Sequence, residues 1–161
     1  MTARVYVGTY EKYNSGSIAG AWLDLDKFAD EEDFAKACAE LHKDEEDPEF
    51  MMQDFEGFPK RFYWEGGLSS ELWDWLALDD DDRELVEAYA DCISDTPTLD
   101  DAQDAFMGRY DNDIDFVQEL LEACGDIPRD LPHYICIDWE ATARNIMFDY
   151  VSSRGCYFRA Y

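Results

Sequence analysis

The chain opens in alternation. Arg4-Val5-Tyr6-Val7 sets an apolar side chain at every second position, as a half-buried strand requires; Asn14 to Ser17 ("NSGS") reads as a turn and Ile18 to Leu25 as a second strand. The period then lengthens. Phe34, Cys38 and Leu41 fall at i, i+4 and i+7, predicting a helix that Asp30 caps, and Glu49 to Pro59 is a third extended segment stopped by Gly57 and Pro59. From about Gly66 helical spacing dominates. Ser70 is placed to cap a short helix through Leu72, Trp73 and Leu76, and the Asp79 to Asp82 run to cap the next. In that next helix Leu85, Val86, Tyr89 and Ile93 share one face while Glu84, Glu87 and Asp91 line the other. Thr98 and Asp101 form a capping box ahead of Leu99, Ala102 and Phe106. In the last third, Asp115 to Cys124 is helical, Pro128 and Pro132 bracket a loop, Tyr134 to Ile137 is extended, Asp138 caps a helix running to about Asp149, and Gly155 precedes a final strand, "CYFRAY". Strands and helices in blocks, without βαβ alternation, predict an α+β protein. Three small subdomains are expected: 1–60, an antiparallel sheet with one helix; 61–104, an acidic helical bundle; and 105–161, mixed α+β.

Charge changes this picture. The 161 residues hold 39 Asp and Glu against 13 Lys and Arg, a formal net charge of -26, and self-repulsion on that scale works against a compact state. Carboxylates in a first helical turn gain roughly 0.3–1 kcal/mol each from capping and the backbone dipole. That accounts for one or two members of a four-residue run, and no long helix obviously follows Asp44 to Asp47. Something outside the fold must reward the rest. Disorder is not the explanation, because aromatic residues make up 16% and apolar residues 47% of the chain. Such a surface repels nucleic acid and anionic membranes, so a charge-driven partner carries a basic groove or is itself a cation.

The acid is unevenly spread. Residues 1–104 hold 29 acids and 8 bases, net -21, whereas residues 105–161 hold 10 acids and 5 bases, net -5. Glu84, Glu87 and Asp91 recur every roughly 4.5–6 Å along a helix. Duplex DNA carries one charge per about 1.7 Å of axis, so a net -21 corresponds to roughly 36 Å of duplex. The candidate binding surface is therefore Asp30, Glu31, Glu32, Asp33, Asp44, Glu45, Glu46, Asp47, Asp79, Asp80, Asp81, Asp82, Glu84, Glu87, Asp91, Asp95, Asp100, Asp101 and Asp104. Halophilic adaptation and a cation-binding or adaptor role are the competing readings, the first predicting acids spread evenly.

Catalytic chemistry has no foothold. The chain lacks G-x-G-x-x-G, P-loop, H-E-x-x-H and G-x-S-x-G motifs, and no catalytic residue, metal ligand or cofactor is assigned. His42 and His133 are the only histidines, and His133 near Cys136 falls short of a zinc site. Asp111, Asp113, Asp115 and Glu122 occupy positions 1, 3, 5 and 12 of an EF-hand loop, but Phe116 stands where that loop needs Gly. Five scattered cysteines without a Cys-x-x-Cys pair read as buried reduced thiols. With no signal-like or membrane-spanning apolar run, a soluble cytoplasmic protein is expected.

Three stretches carry a resemblance. "RVYVGTYEKYNSGSIAGAWLDL" (Arg4 to Leu25), "DPEFMMQDFEGFP" (Asp47 to Pro59) and "IPRDLPHYICIDWEATARNIMFDY" (Ile127 to Tyr150) resemble the ArdA antirestriction proteins of plasmids and transposons, in the same order along nearly the whole chain. The resemblance implies an elongated DNA mimic of three subdomains, dimeric through the last. Its implied target is the DNA-binding groove of type I restriction-modification enzymes, in their specificity and methyltransferase core. From the missing motifs and the acidic charge, no enzymatic activity and no nucleic-acid or membrane partner is expected. The family's antirestriction motif falls on Glu122, Ala123, Cys124, Gly125, Asp126, Ile127, Pro128, Arg129, Asp130 and Leu131, a stretch whose modest charge suits a dimer contact or scaffold better than a mimic face.

Overall fold

The computed structural model describes residues 2–161 and is α+β, as the blocks of strand and helix predict. The chain divides into two compact units, Met1–Leu78 and Asp79–Tyr161.

In the first unit β1 (Arg4–Thr9) lies between β2 (Ala21–Asp24) and β3 (Phe50–Glu56), antiparallel to both. Alternation sends Val5 and Val7 into the core and Tyr6 to the other face, where its ring meets Trp22 edge-on. The β1–β3 register slips after Tyr6. Beside the slip a Cβ on Gly8 would lie 2.6 Å from Gln53 Nε2, the far end of a flexible side chain that can swing aside. Between β1 and β2 the structure places a helical turn, α1 (Tyr10–Asn14), capped by Thr9. Hence β2 begins at Ala21 rather than Ile18, and Ile18 is exposed. The helix α2 (Glu31–Leu41) starts at its expected cap, with the Asp33 N–H donating to Asp30 Oδ1 at 2.9 Å, and buries Phe34 and Cys38. A two-residue hairpin follows, β4 (Tyr63–Trp64) with β5 (Gly67–Leu68), and then α3 (Glu71–Leu76), which buries Leu72 and Trp75. Ser70 is not the expected cap: its own backbone is already helical, and the Ser69 hydroxyl accepts from the Glu71 N–H instead.

The second unit is a three-stranded sheet between two helical layers. Asp79 caps α4 (Asp80–Cys92) and Thr98 caps α5 (Leu99–Ala105), each through the N–H three residues on. Phe106, expected on the α5 face, instead opens β6 (Phe106–Arg109). Asn112 caps α6 (Asp113–Cys124), and Gly125 ends it at φ +74°, a left-handed conformation that glycine adopts without strain. Asp138 caps α7 (Trp139–Ile146), which stops short of Asp149 because β7 (Tyr150–Ser153) begins there. The last strand, β8 (Cys156–Arg159), lies centrally between β6 and β7, antiparallel to both. Its alternation builds both cores. Cys156 and Phe158 pack with Leu85, Ala88 and Ala102 of α4 and α5, whereas Tyr157 packs with Phe116, Val117 and Ala143 of α6 and α7. Tyr134 to Ile137 forms no strand: no neighbouring strand pairs with it, and Tyr134 and Ile135 are exposed. Buried thiols were expected throughout, but only Cys38 and Cys156 are buried and Cys92 partly so. Cys124 ends α6 off its apolar stripe and Cys136 lies in the unpaired segment, so both face solvent.

Candidate interaction surface

The acidic residues fall into three local arrangements. At the start of α2, Asp30 caps Asp33, whose own carboxylate accepts from the Ala29 N–H at 3.3 Å, and Glu32 pairs with Lys36 at 3.1 Å. All four side chains of this run are exposed, including Glu31.

The Asp44 to Asp47 run is less uniform. Asp44, Glu46 and Asp47 face solvent, but the Glu45 side chain is only 8% exposed. Its Oε2 accepts from the Thr9 hydroxyl at 2.7 Å and lies 3.4 Å from Lys12 Nζ. Lys12 also donates to Asp44 Oδ1 at 3.0 Å and to His42 Nδ1 at 2.8 Å. An ammonium only donates, so His42 Nδ1 accepts and its Nε2–H is left to donate to the Val7 carbonyl at 3.0 Å. The Lys12 ammonium holds the Asp44 carboxyl below the usual carboxylate range, and the Thr9 hydroxyl does the same for Glu45. His42, Asp44 and Glu45 have ligand atoms within 4.8 Å of one another, but Lys12 already fills the position a metal ion would take among them.

On α4, Asp79 is committed to its cap, Asp80 and Asp81 are exposed, and Asp82 is half-buried. The acidic flank is exposed at Glu84 and Asp91, as expected, but both are paired with arginines of the sheet and its turn. Glu84 pairs with Arg109 of β6 at 3.4 Å, and Asp91 Oδ2 accepts from Arg154 Nε at 2.9 Å and from the Ser153 hydroxyl at 2.7 Å. Arg154 holds the Asp91 carboxyl below its ordinary range, and half-buried Glu87 lies in the field of the same arginine. Further along, Asp95, Asp100, Asp101 and Asp104 are exposed.

Sequence spacing missed these partners because Arg109 and Arg154 stand 25 and 63 residues from the acids they meet, and no local period reports such a distance. The compact units also redistribute the charge. The first carries 18 acids and 7 bases, net -11, and the second 21 and 6, net -15, of which residues 79–104 supply eleven acids and one base.

Elsewhere in the second unit, Asp113 accepts from the Tyr157 hydroxyl at 2.7 Å. Desolvation and that bond push the phenol up to about 12. The EF-hand-like spacing lies along α6, so Glu122 sits roughly 13 Å beyond Asp113 by helical rise and cannot close on an ion held there. Among the motif residues, Glu122, Ala123, Cys124, Gly125, Asp126, Pro128, Arg129 and Asp130 are exposed, with Ile127 and Leu131 half-buried. A cavity of about 580 Å³ is lined by Glu122, Gly125, Ile127, Pro128 and Arg129. Among the described residues no helix is long and apolar enough to cross a membrane.

No curated protein matches the chain. A family model described as antirestriction protein (ArdA) matches residues 5–158, nearly its whole length. With that match, the chain belongs to the ArdA antirestriction protein family.

Proposed function

We propose that this chain acts as a non-catalytic inhibitor that occupies the DNA-binding groove of a type I restriction-modification enzyme, its exposed carboxylates standing in for phosphates. One observation carries the reading: residues 79–104 set eleven acids against one base, and most of those acids stay exposed after their capping and pairing needs are met. A cluster of that kind has no evident use within the fold, and a groove built to neutralise a polyanion would reward it. The proposed phosphate-like carboxylates are Asp30 to Asp33, Asp44, Glu46 and Asp47 in the first unit, and Asp80, Asp81, Asp95, Asp100, Asp101 and Asp104 in the second. Glu45, Glu84 and Asp91 act through the fold rather than through the partner.

The working form is a homodimer joined through residues 105–161, where charge is lowest and Phe148, Tyr161 and Tyr134 are exposed at 84%, 82% and 74%. Tyr157 and Phe158 are core and take no part. Competition tests the inhibition. Excess duplex carrying the enzyme's recognition sequence should relieve it; inhibition undiminished at saturating duplex, or complete at substoichiometric dose, contradicts direct occupation of the groove.

A further inference from the structure

We infer that an aromatic cavity in the first unit receives an arginine side chain of the protein partner, an anchor that rests on the inhibitor reading above and adds to it a contact that is not purely electrostatic. The cavity holds about 400 Å³ and is walled by α2, β3, the β4–β5 hairpin and α3. That size falls within the roughly 300–1,000 Å³ of ligand-accepting sites. Phe34, Met52, Trp64 and Trp73 supply its apolar walls, and Glu31 is its only acidic lining residue.

Three features select the occupant. Trp64 is 53% exposed, yet its indole lies across the hairpin, where a Cβ on Gly66 or Gly67 would sit 3.2 or 3.1 Å from the ring. A broad aromatic face is thus left open to solvent. The Trp73 indole Nε1 is buried away from solvent with no hydrogen-bond partner among the described residues, so this wall meets an occupant through its ring and not through a hydrogen bond. Finally, Asp30 and Asp33 also accept helix-cap N–H groups and Glu32 pairs with Lys36 on the surface, whereas Glu31 lines the cavity.

Flat aromatic faces beside a carboxylate suit a guanidinium, which stacks on rings and bonds a carboxylate in a two-pronged fork; its methylene stem lies well against Phe34 and Met52. A lysine ammonium lacks the flat face. Arginine also recurs among the residues that dominate protein interfaces and among those that contact phosphate on DNA-binding surfaces.

The test is equilibrium binding to a purified type I enzyme over a range of salt concentrations, with two variants. Trp64→Ala removes a wall. Ala35→Trp fills the cavity from an exposed helical position on its rim and keeps every wall residue, so it serves if the first variant fails to fold. Each folded variant should bind at least tenfold more weakly than the parent at every salt concentration, with the slope of log affinity against log salt lowered by no more than about 0.9, which the single Glu31 contact supplies. Neutralising exposed acids should instead flatten that slope. Binding by Ala35→Trp within twofold of the parent overturns the anchor and leaves groove occupation standing, whereas no binding by the parent itself would defeat groove occupation and the anchor with it.

Discussion

Asp91 tests whether an exposed carboxylate of the acidic run serves the fold. Its Oδ2 receives both the Arg154 Nε–H at 2.9 Å and the Ser153 hydroxyl at 2.7 Å, tying α4 to the β7–β8 turn. Both charged side chains are nearly half exposed, at 42% and 48%, so water screens the pair. Coulomb attraction at that distance is about 1.4 kcal/mol in a water-like dielectric, and fixing two long side chains offsets part of it. The net coupling should be about 0.2–1 kcal/mol. A double-mutant cycle of Asp91→Asn and Arg154→Gln, read by urea unfolding, measures it directly. Because the Asp91 pKa is lowered by folding, its contribution is fully present above the unfolded value near 3.9 and is lost as pH falls through the folded value. The cycle should therefore give a coupling at pH 7 that vanishes in strong acid. In binding to the restriction enzyme, Asp91→Asn should leave the salt slope unchanged, since Arg154 already neutralises that charge. A slope reduced by about 0.9 with no coupling in the cycle would refute the assignment and return Asp91 to the partner-facing surface.

Lys12→Met should strand the enclosed Glu45 and lower the melting temperature more than neutralising any exposed acid does. The gap should narrow as pH falls, because Asp44 and Glu45 both have lowered pKa values and lose their folded-state advantage once protonated. Phe158→Ala, at a fully buried position of the central strand β8, should cost about 3–5 kcal/mol in chemical denaturation; a loss below about 1 kcal/mol would contradict its place in the α4–α5 core. Millimolar Ca²⁺ should leave the melting temperature unchanged, and a saturable rise abolished by Asp113→Ala would overturn the helical reading of that segment.

Elements with a strong local signal were legible before the structure. Asp30, Asp79, Thr98 and Asp138 cap the helices expected of them because a cap acts on an N–H three residues away. What escaped was set by pairing at a distance. The helix expected to run to about Asp149 ends at Ile146, before Tyr150–Ser153 pairs with β8, and Phe106 fits a helical face until the sheet takes it. The β4–β5 hairpin spans too few residues to show a period. The acidic surface was legible as composition, while its division into ion-paired and unpaired carboxylates depends on Lys12, Arg109 and Arg154, each brought to its acids by tertiary packing.

The most direct measurement is the salt dependence of binding to a type I enzyme as exposed acids are neutralised in steps, beginning with Asp80 and Asp81 and adding Asp95, Asp100, Asp101 and Asp104. If these carboxylates replace phosphates, the slope of log affinity against log salt falls progressively, by up to about 0.9 for each acid that meets a basic partner group, and no single substitution abolishes inhibition. A slope unchanged after all six are neutralised, or inhibition lost with one of them alone, would contradict a surface that works by collective charge.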